Sequence, residues 1–386
     1  MKTNRIIPLE GCRGIAAFIV VINHFLVAFT PYFAGILPET RLDSSIIGNW
    51  YFVFCNGAGA VNFFFVLSGF VLCSSYFKTG ELEILKLGVI KRLPRLVGPV
   101  IVTTVASYFL FKFGGYYFVE ASNITKSSWL AGFAYSGWTD DFSPSITKAA
   151  IQGLTTFFTG EANYNSNLWT MKPEFIGSIL VFGIASLLYS VIKLKKPWVI
   201  FCIFAIWGLS TYPYLLPFIV GLFLSAKVTQ KPLTLNYYSS VFFILIGLYL
   251  LGYAIPEKDY LWVGAIKHPS LIAINFQTIL HTIGSYLIII SIIGNNRIYA
   301  SLDKSFSSYL GRLSFPLYLV HTLVICSLSS FIFLELKNIS VSQFWVMTIL
   351  YASTLVGSIL IAIPLVIFDE FWVRYTGRIV KKIFNH

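Results

Sequence analysis

The chain has 386 residues, of which 56% are hydrophobic and only 11% charged, and its formal net charge is +12. Soluble domains carry about 25% charged residues, so the composition excludes a soluble globular protein and points to an all-α polytopic membrane protein. The positive balance does not call for nucleic acid, because the cytoplasmic loops of membrane proteins are rich in Lys and Arg.

A bilayer core of about 30 Å takes about 20 mostly apolar helical residues. Ten segments are expected to cross: Cys12–Phe29, Trp50–Cys73, Leu96–Phe113, Phe175–Ile192, Trp198–Leu209, Pro213–Ala226, Tyr238–Tyr253, Leu271–Ile293, Phe315–Phe333 and Phe344–Phe368. They are too long for barrel strands and lack a period of two. The fifth and sixth are short. Lys193, Lys195 and Lys196 precede them, and Lys227 and Lys231 follow. Both clusters belong on the cytoplasmic side, so an even number of crossings separates them. Two short helices with a turn at Ser210-Thr211-Tyr212-Pro213 are expected. The five cysteines, Cys12, Cys55, Cys73, Cys202 and Cys326, sit in or beside apolar runs. Their spacing suits neither a disulfide framework nor a metal site.

With both termini cytoplasmic, 20 of the 28 Lys and Arg fall inside, from Lys2 and Arg5 to Lys381 and Lys382. The stretch Lys78–Arg95 is then a cytoplasmic loop. The long loop at about 114–173 is extracytoplasmic and reads as irregular. It carries the aromatics Tyr116, Tyr117, Trp129, Tyr135, Trp138, Tyr164 and Trp169 and the acids Glu120, Asp140, Asp141 and Glu161. Aromatics with a few acids suit sugar faces and hydroxyls, and equally an interfacial belt. The whole chain, 1–386, reads as a single membrane domain.

Ionisable groups inside a membrane are costly and mark functional sites by default. Here they are His24, Glu174, His281 and His321. Arg13 opens the first segment, and eleven residues separate it from His24. On a helix the two fall about 20° apart, on one face and about 16 Å apart along the axis. An arginine at the mouth suits a phosphate. A neutral imidazole in a dry site can take a proton from a hydroxyl or carry an acyl group. In "KRLPRLVGP", Arg92 and Arg95 form an i,i+3 pair suited to an anion, with Pro94 expected to start or break a helix. In "NFFFVLSGF", Asn62 and Ser68 are the polar members, and Gly57, Gly59 and Gly69 allow close helix approach. In "NLWTMKPEF", Glu174 falls near a helix start, where the dipole favours its anion. "LGRLSFPLYLVH" carries His321 a few turns into the ninth segment. His281 lacks a flanking pattern and reads as a packed residue.

Together these stretches resemble the acyltransferase 3 family of multi-pass membrane acyltransferases, which includes O-antigen and other surface-polysaccharide O-acetylases. Arg13 and His24 match its basic-residue–ten–His motif. "NFFFVLSGF" is similar to its Phe-Phe-x-x-Ser-Gly-Phe motif, and Arg92 with Arg95 to its Arg-x-x-Arg. "LWTMKPEF" resembles Leu-Trp-Ser-Leu-x-x-Glu, with Thr170 for Ser and Met171 for Leu. "LGRLSFPLYLVH" resembles Leu-Gly-x-x-Ser-Tyr-x-x-Tyr-Leu-x-His, with Phe315 for Tyr and Pro316 added.

The resemblance implies O-acyl transfer, the acyl group expected to be acetyl, from cytoplasmic acyl-CoA to a glycan or lipid-linked sugar beyond the inner membrane. It implies Arg13, Arg92 and Arg95 on the CoA phosphates and His24 as general base or acyl carrier. Glu174 is expected to orient the sugar hydroxyl or His24, with Ser68, Trp169 and His321 in support. No metal, no nucleic acid and no C-terminal esterase-like domain are expected. The alternative is a proton-coupled secondary transporter with His24, His281 and His321 as relays. It calls for inverted repeats and paired broken helices, and the sequence has neither.

Overall fold

The computed structural model describes residues 6–133, 143–191, 197–264, 270–337 and 342–384. Lys2, Arg5, Tyr135, Trp138, Asp140, Asp141, Lys193, Lys195 and Lys196 lie outside the described residues. The described residues are mostly helical and include no strand. The principal helices are α1 (Ile7–Phe29), α2 (Gly57–Leu72), α3 (Leu82–Lys112), α4 (Phe118–Thr125), α5 (Ser128–Ala131), α6 (Ile146–Thr159) and α7 (Met171–Val191). They continue with α8 (Pro197–Thr211), α9 (Leu215–Gln230), α10 (Tyr237–Leu251), α11 (Ser270–Gly294), α12 (Ser305–Val324), α13 (Ser330–Lys337) and α14 (Gln343–Phe384).

Each of the ten expected segments falls on a helix. Among the described residues, seven spans are long and apolar enough to cross a membrane, and α8, α9 and α10 are apolar but shorter. The break before Pro213 is where the sequence puts it. α8 ends at Thr211, and Leu215 N donates to Tyr212 O at 2.9 Å to start α9.

Two expectations are corrected. Pro94 does not break its helix: α3 runs through both Pro94 and Pro99. A proline inside a helix removes one backbone bond and crowds the preceding turn. Tertiary packing holds the segment helical: Trp372 Nε1 of α14 donates to the Pro94 carbonyl at 2.6 Å, and its indole fits against Gly98. Lys91, Arg92 and Arg95 therefore lie within a helix, not in a loop. Nor are the described residues of the stretch 114–173 irregular. They include α4, α5, α6 and a 3-10 turn at Ser166–Thr170. α6 buries Ala149, Gln152, Gly153, Thr156 and Phe157, a stripe at helical spacing, and Ser145 Oγ caps it by accepting from Lys148 N.

Two compact units are present. The first comprises Met1–Ala16, Gly48–Leu93 and Pro173–Arg312, and the second Ala17–Ile47, Pro94–Lys172 and Leu313–His386. In the first unit α2 and α9 pack backbone to backbone. A Cβ at Gly69 would meet the Phe218 carbonyl, and one at Gly221 would meet the Val66 carbonyl. Gly59 faces the Leu251 carbonyl in the same way. Small residues are what permit such an approach between membrane helices. Gly69→Val is accordingly expected to force the pair apart at a cost of about 1–3 kcal/mol, the usual range for overpacking. The thermal midpoint of the detergent-solubilised protein measures it; an unchanged midpoint would mean the helices part freely.

In the second unit the core gathers Phe25, Ala28 and Phe29 of α1 with Phe118, Leu130, Phe133, Leu323, Phe333 and Leu350. α12 passes at Ile325 into a single turn of π-helix, Ile325–Ser329. The turn frees the Cys326 carbonyl, which accepts from Tyr117 N at 3.1 Å. Such turns often mark functional sites, and this one begins four residues after His321.

Candidate active site

Two polar groups stand out, one in each unit. In the second unit His24 of α1 and His321 of α12 meet through their rings. His24 Nδ1 lies 2.7 Å from His321 Nε2. The ring planes are 9° apart and the centroids 5.0 Å apart. That separation is about one hydrogen bond plus two ring radii, so the rings meet edge to edge in one plane. On its other nitrogen His321 faces carbonyls: Nδ1 is 2.8 Å from Tyr318 O and 3.2 Å from Leu317 O.

These bonds fix the tautomers. A carbonyl only accepts, so His321 Nδ1 carries a hydrogen. In the neutral ring Nε2 is then a lone pair, and His24 Nδ1–H must donate to it. The lone pair of His24 is thereby placed on Nε2, which bonds to no other described residue. His321 is fully buried, whereas His24 is partly exposed. The arrangement is a buried orienting group behind an accessible base, which is the relation a hydroxyl-activating site requires.

The turn Ser166–Thr170 explains why His321 sits so firmly. Asn167 Nδ2 donates to Tyr318 O, the same carbonyl that holds His321. Tyr318 Oη donates to Asn167 O at 2.9 Å and lies 2.8 Å from Thr170 Oγ1. Asn165 Nδ2 donates to Leu319 O at 2.8 Å, and its Oδ1 accepts from Thr322 Oγ1 at 2.5 Å. The "NLWT" stretch thus acts by bracing α12. Trp169 is half-buried within that turn.

Across the face of His24 lies Trp129, with ring centroids 4.8 Å apart and planes 15° apart. It comes from α5. Ser127 Oγ caps that helix by accepting from Leu130 N, and it donates to Val27 O, one turn beyond His24, at 2.7 Å.

In the first unit Arg92, Glu174, Ser68 and Ser178 form one hydrogen-bonded group. Arg92 Nη2 pairs with Glu174 Oε1, and Arg92 Nε donates to Ser178 Oγ at 2.8 Å. Ser68 Oγ donates to Glu174 Oε1 at 2.9 Å, and Ser178 Oγ donates to Glu174 O. The side chains of Arg92 and Glu174 are only 9% and 16% exposed. Glu174 does occupy the first turn of α7. It is not a carboxylate at the outer surface with Arg92 on the cytoplasmic side, because the two are joined. Nor are Arg92 and Arg95 an equivalent pair: the first is buried in an ion pair and the second is exposed.

Arg13 is held at the contact of α1 with α12. Its Nη2 donates to Glu10 Oε2 at 2.7 Å and to Gly311 O at 2.9 Å, and its side chain remains 30% exposed. Gly14 and Gly311 make room there, facing Leu310 and Glu10. His281 is buried, as expected of a packed residue, with Nε2 2.9 Å from Tyr253 O.

The expected residues therefore come together as His24 with His321, and as Arg92 with Glu174 and Ser68. Trp129 is an addition that sequence reading placed only among the loop aromatics, and Asn165 and Asn167 were not singled out.

Residues 6–363 match the sequence profile of the acyltransferase 3 family, described as an acyltransferase domain. Neither a search of the curated proteins nor one of the solved structures gives a match. The match takes in nearly the whole chain and both polar groups, so this multi-pass membrane protein belongs to the acyltransferase 3 family and is an acyltransferase.

Proposed function

We propose that the protein moves an acetyl group from cytoplasmic acetyl-CoA to a hydroxyl of an extracytoplasmic glycan, such as O-antigen or another surface polysaccharide, across the inner membrane. The observation that carries this reading is the His24–His321 pair, which leaves the lone pair of His24 on Nε2. His24 Nε2 takes the hydroxyl proton as the sugar oxygen bonds to the thioester carbon. The C–S bond breaks, and its electrons leave with sulfur. The proton on His24 then passes to the thiolate, giving the ester and free CoA. His321 keeps the neutral tautomer correct and accepts the Nδ1 hydrogen bond throughout.

The CoA phosphates need cations. Arg13 and Arg95 have exposed side-chain surface to offer. Arg92, whose side chain is buried against Glu174, is better suited to bracing that site than to holding the anion alone. Glu174 Oε2 bonds to no described residue, which leaves an acceptor for a substrate hydroxyl. The transporter alternative draws no support from the family match. Mass spectrometry of surface glycans from a deletion strain and its parent provides the test. Loss of one acetyl substituent in the deletion strain is expected, with recovery on complementation. Identical glycans would overturn the choice of acceptor.

A further inference from the structure

Trp129 is unaccounted for by the proton chemistry. His321 alone sets the tautomer of His24, and it does so from the ring edge. The indole covers the ring face instead, at 4.8 Å and within 15° of parallel. Its position is built. Leu130 beside it is buried in the core, and Ser127 ties the four-residue helix to α1 at Val27. An aromatic face carries negative potential. Toward a neutral imidazole that is a modest packing contact; toward a cationic ring it is a real attraction, largest where water is excluded. His24 is neutral at rest, with Nδ1–H bonded to His321 and Nε2 open. The ring becomes cationic only during transfer, whether Nε2 takes the hydroxyl proton or the acyl group. An interaction stronger in the transition state than in the ground state raises the rate rather than the affinity.

We infer that Trp129 accelerates acyl transfer by stabilising the positive charge that develops on His24, acting through the face of that ring. The inference rests on His24 carrying the charge in the reaction. Trp129 is then a positioning residue whose π-electron density matters, beyond its shape.

Fluorination separates the two roles, because each ring fluorine weakens the negative face and barely changes the outline. Tryptophan bearing one, two or three ring fluorines is placed at position 129 alone, in full-length protein reconstituted in lipid vesicles. Thiol release from acetyl-CoA is followed with the surface glycan of the producing cell as acceptor. A stepwise fall in kcat with fluorine number is expected, with KM for acetyl-CoA unchanged. Trp129→Leu should lie beyond the end of the series at about thirtyfold below wild type, which is about 2 kcal/mol at 1.4 kcal/mol per tenfold. A flat series in an enzyme that still needs His24 overturns the inference, even where Trp129→Leu is slow, since the indole then only packs. Near-normal turnover by His24→Ala would remove the underlying reading as well.

Discussion

His24→Ala is expected to abolish acyl transfer while the protein still inserts and accumulates. The side chain is partly exposed and lies outside the buried residues of the core, so its loss leaves Phe25, Ala28 and Phe29 packed as before. What disappears is the imidazole nitrogen, Nε2, that bonds to no other described residue. Positioned general acid–base groups contribute about 10²- to 10⁴-fold, and the mutant is placed at the upper end because it loses base, hydrogen-bond donor and acyl-carrying nitrogen together. His321→Ala should cost less, about 10²-fold. It leaves His24 free to choose the wrong tautomer but keeps the ring. His321→Gln should recover part of that loss, since an amide oxygen can accept from His24 Nδ1–H. Initial rates of thiol release from acetyl-CoA, normalised to the monodisperse protein peak, give the ranking. Near-normal turnover in His24→Ala would remove the residue from the reaction. Equal rates for the Ala and Gln variants at 321 would mean that His321 does more than accept a bond.

The apolar runs and the turn at Pro213 were legible because hydrophobicity is a local property. So was the placing of Arg13 and His24 within one helix. The pairing of His24 with His321 was not, because 297 residues lie between them. Arg92 and Glu174 are 82 apart, and positive-inside reasoning actively pulled them to opposite sides. It treats each arginine as a topology signal and has no account of a buried carboxylate waiting for one. Pro94 misled for a related reason. Its local cost is real, yet Trp372, 278 residues later, packs against this part of the helix and bonds to the Pro94 carbonyl. The failure over α6 was different, since Ser145 as a cap and the Ala149–Gly153–Thr156–Phe157 stripe were there to be read. Trp129 offered only a weak signal, a serine cap two residues before it.

Glu174→Gln and Arg92→Met are each expected to destabilise the protein strongly, and together much less than their sum. Arg92 and Glu174 are largely removed from solvent, at 9% and 16% exposure, and their bonds to Ser178 and Ser68 complete the group. Removing one partner of a buried ion pair leaves the other charge uncompensated, which typically costs about 3–5 kcal/mol. Glu174→Gln keeps the shape of the carboxylate and can still accept from Ser68, so what it removes is the charge. Arg92→Met keeps most of the side-chain volume and leaves the carboxylate unmatched. In the double variant neither charge remains, and two neutral side chains of similar size fill the space. A coupling of about 2–3 kcal/mol between contacting residues is therefore expected, at the upper end for such pairs. Thermal midpoints of the four proteins in one detergent supply the cycle, and strictly additive shifts would show that the pair is not the unit the geometry describes. Acetyl-CoA affinity of the same proteins separates the arginines. If Arg92 braces the site, the double variant binds acetyl-CoA nearly as wild type does. Arg95→Lys, which keeps the charge but loses the planar fork, weakens binding tenfold to a hundredfold, the equivalent of about 1.5–3 kcal/mol for a charge-assisted hydrogen bond. The reverse pattern would return Arg92 to the phosphates and leave Arg95 as a surface charge.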